Sequence, residues 1–181
     1  MAQLDPVKID NLPASVDEFV ELRDRVATVP QGGAAMMIVA LFAYVKDEML
    51  GRQCLAIAAS RGRLEEGPKG YKGWQLRASD VWLLHTQIKG KEYVLRSYIE
   101  GTSPENDYEL PEPHYAFTFT DNPHSGDPEM GSFKVFVDSS GASSPRPVTV
   151  KRNDKGIWKA YEWSTLIVGV EPPGQEVSDD L

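Results

Sequence analysis

The side chains able to do acid–base or metal chemistry are few and scattered. The chain has three histidines, His85, His114 and His124. His124 lies near Asp121 and Asp127, with His114 and Glu129 close by, and imidazole and carboxylate are ordinary ligands of a divalent cation. No paired spacing such as His-Glu-x-x-His or Cys-x-x-Cys supports a metal centre there. Asx turns in a polar loop account for the same residues. His85 falls near Leu84 and Ile88 on a predicted helix. The single cysteine, Cys54, sits in the apolar run CLAIAA, which should raise its pKa rather than activate it. No Gly-x-Ser-x-Gly elbow occurs. Gly67, Gly70 and Gly73 lack the Gly-Lys-Ser/Thr ending of a phosphate loop. No catalytic residue, metal or cofactor is assigned.

Binding groups are easier to find. Ser139, Ser140, Ser143 and Ser144 precede Pro145-Arg146-Pro147, so hydroxyls and one guanidinium could meet an anion. A solvated hairpin connection accounts for the same stretch. Trp158 and Trp163 differ by an odd number, which in a regular strand sends them to opposite faces, with Tyr161 on the face of Trp163. Trp74, Trp82 and Tyr71 extend the set toward an aromatic-lined groove. Arg96, Tyr98, His85 and Glu162 are polar candidates for a pocket between helices and sheet. The candidate ligand-binding residues are therefore Trp163, Tyr161, Trp74, Arg96, Tyr98, His85 and Arg146.

The elements that must position them follow from periodicity. Ser15-Val16-Asp17-Glu18 is a capping box, and apolar residues follow it at helical spacing from Val16 to Val26. A second helix is expected from about Ala34 to Leu50, apolar nearly all round and so sequestered on most sides. Gly51 should end it, and a short third helix should cover about Arg52 to Ser60. Arg61 to Gly73 reads as loop, and Ser79 as the cap of a helix that Gly90 stops. From Tyr93 the period changes to two. Strands are expected over Tyr93 to Ile99, Tyr115 to Thr120, about Phe133 to Asp138, Val148 to Arg152 and Ile157 to Trp163, with Thr165 to Val170 extending the set. Asn153-Asp154-Lys155-Gly156 is hairpin turn chemistry.

This order predicts an α+β protein, with N-terminal helices packed on a C-terminal curved antiparallel sheet. The cystatin-like and nuclear-transport-factor-like (NTF2-like) cones share that order, as a fold-level analogy. Residues 1–12 are expected to be a flexible N-terminal segment, 13–173 a single α+β domain, and 174–181 a frayed tail.

Composition narrows the function classes. The 181 residues are 41% hydrophobic and 25% charged, which suits a globule with a sizeable core. The net charge of −8 disfavours general nucleic-acid binding. MAQLDPVKIDNLP does not read as a secretory signal, and the apolar run Ala34 to Val45 is shorter than the ~20 residues of a spanning helix. One thiol makes no internal disulfide, so a reducing, cytoplasmic setting with no membrane partner is expected.

Four segments carry a resemblance: GYKGWQLRASDVWLL, EGTSPENDYELPEP, NPHSGD and SSGASSPRPVTVKRNDKGIWKAYEWSTLIVGVEPP. Together they resemble an uncharacterised bacterial family, one of the domains of unknown function, over roughly Pro13 to Pro173. The resemblance implies a bacterial single-domain protein and carries no activity, ligand or catalytic residue. Two readings follow. The first, favoured by the absence of a coherent acid–base, nucleophile or metal constellation, is a non-catalytic protein-interaction or regulatory domain, which predicts an exposed aromatic or apolar patch on the sheet. The second is a small-molecule binder or enzyme with a pocket between helices and sheet, which predicts ionisable groups converging there. Neither names its protein partner or small molecule, nor an oligomeric state.

Overall fold

An apolar rod and a pleated layer form the centre of the molecule. The computed structural model describes residues 1–174. Helix α1 covers Val16–Val26; the Ser15 hydroxyl accepts from the Glu18 amide at 3.2 Å, and the Glu18 carboxylate accepts from the Ala14 amide at 2.7 Å. Helix α2 covers Pro30–Lys46, and every residue from Gln31 to Tyr44 is buried. Pro30 opens it at a position whose amide would have no intrahelical partner. Burying each large side chain here contributes roughly 1.5–3 kcal/mol.

The second helix ends earlier than the expected Leu50. Asp47 leaves the helical conformation, and its carboxylate accepts from the amides of Met49 (3.1 Å) and Leu50 (3.2 Å), starting α3 over Glu48–Ala58. Gly51 lies inside α3 rather than ending α2. A Cβ there would collide with the backbone of Tyr44, so the residue permits the close crossing of the two helices.

The main sheet is antiparallel, ordered β1-β6-β7-β8-β9, with β1 at Ala2–Gln3, β6 at Phe119–Asp121, β7 at Ser132–Val137, β8 at Arg146–Arg152 and β9 at Trp158–Glu162. Phe133, Val135, Val137, Val148, Val150, Trp158 and Ala160 all turn inward, as a half-buried sheet requires. Strands β2 (Val7–Ile9) and β5 (Tyr115–Phe117) pair separately, as do β3 (Leu64–Tyr71) and β4 (Trp74–Leu76). The α+β class and the order of helices before most strands stand. The topology alone does not make the cystatin-like or NTF2-like cone.

Several local expectations are corrected. Residues 1–12 are not a loose leader: β1 and β2 pair with β6 and β5, and Val7 and Ile9 are buried. Strands this short carry no periodic signal, and their partners lie far along the chain. Arg61 to Gly73 is a short 3-10 turn followed by the β3–β4 hairpin, whose turn residues Lys72 and Gly73 both have positive φ, 50° and 85°. Tyr93 to Ile99 is not a strand but a helical segment, α5 (Tyr93–Arg96); its buried apolar residues Val94, Leu95, Tyr98 and Ile99 recur at helical spacing. Ser79 does not cap α4 (Ala78–Ile88), which starts after Arg77 without a side-chain cap. Tyr115 to Thr120 divides at Thr118 between β5 and β6, and Thr165 to Val170 contains a 3-10 turn, Ser164–Ile167, in place of a strand. Of the tail expected to fray, residues 175–181 lie outside the described residues. Among the described residues no helix is long and apolar enough to cross a membrane.

Candidate functional site

The sequence-derived candidates do not converge. Trp163 is buried, and so is Trp158, so the two do not divide between inner and outer faces. The cause is local: β9 ends at Glu162, and Trp163 takes φ −143° and ψ 1°, leaving the strand alternation and turning into the core. Tyr161 stays on the outer side of β9, half-buried, and does not share a face with Trp163. Tyr98 is buried beneath the 3-10 turn, donating to the Leu166 carbonyl at 2.6 Å; burial raises its pKa, with Arg146 opposing. Arg146 donates to the carbonyls of Val168 (3.1 Å) and Gly169 (3.0 Å), so it braces a loop. Arg96 pairs with Glu92 at 3.3 Å, Glu162 with Arg63 at 3.4 Å, and His85 is exposed on α4. The pocket expected from Arg96, Tyr98, His85 and Glu162 is therefore not formed by those four.

His124 and Asn122 form an Asx turn (2.7 Å), and Asp127 accepts from the Glu129 amide at 3.0 Å. His114 contacts Asp10 at 2.6 Å, both exposed. Among the described residues no group of three His, Cys, Asp or Glu side chains is arranged to hold a metal ion. Cys54 is fully buried, and burial pushes its thiol up to about 12.

Another concavity stands out by its charge. A cleft of about 660 Å³ opens between the C-terminal end of α3, the β3–β4 hairpin and the β8–β9 hairpin, with α1 at its rim. Three connections build it. The chain leaving α3 bridges to β9 through Ala59 and Ala160, and the Ser60 amide donates to the Ala160 carbonyl at 2.7 Å. The Trp158 amide donates to the Ala27 carbonyl at 2.9 Å, tying the end of α1 to β9. Asn153 closes the β8–β9 turn, accepting from the amides of Lys155 (3.0 Å) and Ile157 (2.9 Å).

These connections bring basic side chains together from six segments. Arg23 comes from α1 and Arg61 from the exit of α3. Lys72 comes from the β3–β4 turn, Lys151 and Arg152 from the end of β8, Lys155 from the β8–β9 turn, and Lys159 from β9. Against these seven, Asp154 is the sole carboxylate lining the cleft among the described residues. Arg23 has an ion-pair partner, Asp24 at 2.8 Å; among the described residues the other six have none within 4.0 Å. Some lie over rings instead: the Arg61 guanidinium is 4.2 Å from the centre of Trp74, and the Lys151 ammonium is 3.6 Å from that of Tyr161. Lys159 reaches from β9 to the end of α3 and donates to the Ile57 carbonyl at 2.6 Å. Burial lowers its pKa to about 8, with Arg23 and Lys155 pushing the same way and Asp24 opposing.

Of the sequence candidates, Trp74 lines this cleft and Tyr161 touches it through Lys151. The cations themselves were missed. The available signal was compositional: Arg61 and Arg63 stand together as RGR, and Lys151, Arg152 and Lys155 sit within one turn, KRNDK.

A family model described as a domain of unknown function, DUF6935, matches residues 11–174, close to the span of the sequence resemblance. No curated protein and no solved structure matches the chain.

Proposed function

The chain belongs to this family of domains of unknown function, and from that premise we propose that it is a binding module whose basic cleft holds a small, multiply charged anion. One observation carries the reading: seven cations and one carboxylate line a single cleft in a chain of net charge −8. Like charges gathered in a concave setting repel one another and focus a positive potential, which a bound anion relieves. Guanidinium and ammonium groups without carboxylate partners are free to make charge-assisted hydrogen bonds to phosphate or carboxylate oxygens. The volume, about 660 Å³, suits a small molecule. The acidic balance of the remaining surface argues for a compact anion rather than a nucleic-acid backbone.

This reading takes the second of the two sequence-based alternatives, moved to a different set of residues. The interaction-domain alternative called for an apolar patch on the sheet; the exposed large apolar side chains, Met1, Val29, Met49, Trp82, Met130 and Val168, are spread over separate segments. One domain over residues 13–173 and a reducing, cytoplasmic setting are part of the same proposal, the latter supported by the lone buried thiol. The test is calorimetric titration with pyrophosphate and tripolyphosphate at low and raised salt. Binding that weakens steeply with salt, and is lost in Arg61→Ala/Lys155→Ala, is expected. Undiminished binding in that variant, or none in the parent protein, overturns it.

A further inference from the structure

Lys159 has surroundings unlike those of the other cleft cations. It projects from β9 on the face opposite the buried Trp158 and Ala160, lines the cleft and is half-buried, whereas Arg61, Lys72, Arg152 and Lys155 are exposed. Its hydrogen-bond partner is a neutral carbonyl, that of Ile57, at 2.6 Å. The charged groups facing it are Arg23 and Asp24 on α1 and Lys155 in the β8–β9 turn, and the carboxylate of Asp24 lies on Arg23 at 2.8 Å. Lys151, Arg152, Arg61 and Lys72 complete the positive walls.

A carbonyl partner has a chemical consequence. A carboxylate would stabilise the ammonium and keep its lone pair protonated. A carbonyl holds the ammonium less strongly than a carboxylate would, and it can still accept an N–H from the neutral amine, leaving the lone pair directed elsewhere. Desolvation and neighbouring cations are what activate a lysine as a nucleophile, and both occur at this position. With a pKa of about 8, roughly a tenth of Lys159 is neutral at pH 7, against less than about a thousandth for an ordinary lysine. Ile57 belongs to the last turn of α3, so a purely structural helix cap accounts for the same hydrogen bond. The two roles differ in whether the amine reacts.

We infer that Lys159 is a nucleophile that forms an imine with an aldehyde or ketone whose anionic group is held by the surrounding cations of the cleft. This rests on the anion-binding reading above. The Nζ lone pair attacks the carbonyl carbon, and the carbonyl oxygen takes up a proton to give the carbinolamine. Loss of that oxygen as water forms the C=N bond. The sum is amine plus carbonyl to imine plus water, with no oxidant or reductant. Arg61 and Lys155 at the rim provide contacts for the anionic group.

Pyridoxal 5′-phosphate is the probe, as a phosphorylated aldehyde, with borohydride to reduce the imine to a stable secondary amine and peptide mass mapping to locate it. Labelling of Lys159 ahead of the other lysines is expected, suppressed by excess pyrophosphate. Its rate should climb about tenfold per pH unit below pH 8 and level off above. Pyridoxal, which lacks the phosphate, should label Lys159 at least tenfold more slowly. Lys159→Arg should lose the adduct, with labelling of the remaining lysines unchanged. Labelling spread over Lys72, Lys151 and Lys155 with Lys159 untouched overturns the inference, as do equal rates for the two aldehydes. Pyrophosphate binding measured beside it separates the failures: retained binding leaves the anion-binding reading standing, and absent binding removes both.

Discussion

Two concave regions of this molecule differ in what their polar groups have left to do. One is the serine-lined hollow of about 530 Å³ beside α5, where the sequence placed several candidate groups. There the hydroxyls of Ser97, Thr102, Ser139 and Ser140 are occupied. Ser139 donates to Ser97 at 2.8 Å, Ser97 donates to the Val94 carbonyl at 2.7 Å, and Thr102 meets Ser140 at 3.1 Å. Arg146 and Tyr98 likewise serve loop carbonyls. The other region is the basic cleft, where six cations have no carboxylate within ion-pairing distance among the described residues; Arg152 and Lys159 donate to the carbonyls of Glu129 and Ile57, and Arg61, Lys72, Lys151 and Lys155 have no such partner. A polar group with its partners already in place contributes to stability; one without them is available to a ligand. Polar residue type does not separate the two cases, whereas satisfaction of the polar atoms does.

Four experiments bear on that contrast, beginning with the largest effect. Tyr98→Ala removes a buried ring and its bond to Leu166, and should lower unfolding free energy by about 3–5 kcal/mol in denaturant titration. Pyrophosphate affinity of the folded fraction should stay unchanged; a drop would mean that the serine side is coupled to the site. Arg61→Glu/Lys155→Glu should do the reverse. Two lost charge-assisted contacts lower pyrophosphate affinity by about 100-fold or more, while stability moves within about 0.5 kcal/mol each, as for exposed surface positions. A melting temperature collapsing in that variant would make those cations structural.

The third uses pH. Lys159 has a folded-state pKa of about 8, below its unfolded value, so between roughly pH 8 and 10.4 the unfolded chain binds more protons and Lys159 adds stability as pH rises. Cys54, raised to about 12, acts in the opposite direction, because its unfolded thiol ionises first. The difference between the parent protein and Lys159→Met isolates the lysine, and should grow in favour of the parent by about 1–3 kcal/mol across that range. A flat difference would show that water reaches the amine. The smallest effect is expected for Ser139→Ala, about 1 kcal/mol, since Ser97 and the Gly141 amide each lose a partner. Unchanged stability would place the serine side among the free groups and erase the contrast.

Legibility followed the range of the signal. The sequestered α2 could be read from a dozen apolar residues in succession, and the β8–β9 hairpin from alternating residues around Asn153-Asp154-Lys155-Gly156. The segment 93–99 was misread because YVLRSYI permits both periods over so short a span, and burial at 94, 95, 98 and 99 resolves it as helical. The β3–β4 hairpin was obscured by its own glycines: the pairing skips from Glu66 to Tyr71, which breaks the alternation. Trp163 could not be placed by counting, because its strand ends one residue before it.

From the sequence alone came the α+β class, the oily central helix, the acidic balance and the inert character of Cys54, because each depends on composition or on neighbours a few residues away. The tertiary structure alone decided the site. Arg23, Arg61, Lys72, Lys151, Lys155 and Lys159 become neighbours only when α1, the end of α3 and two hairpins meet. Whether a cation has a carboxylate beside it is a property of distance in space, and so is the burial that sets Lys159 apart from the other lysines of its cleft.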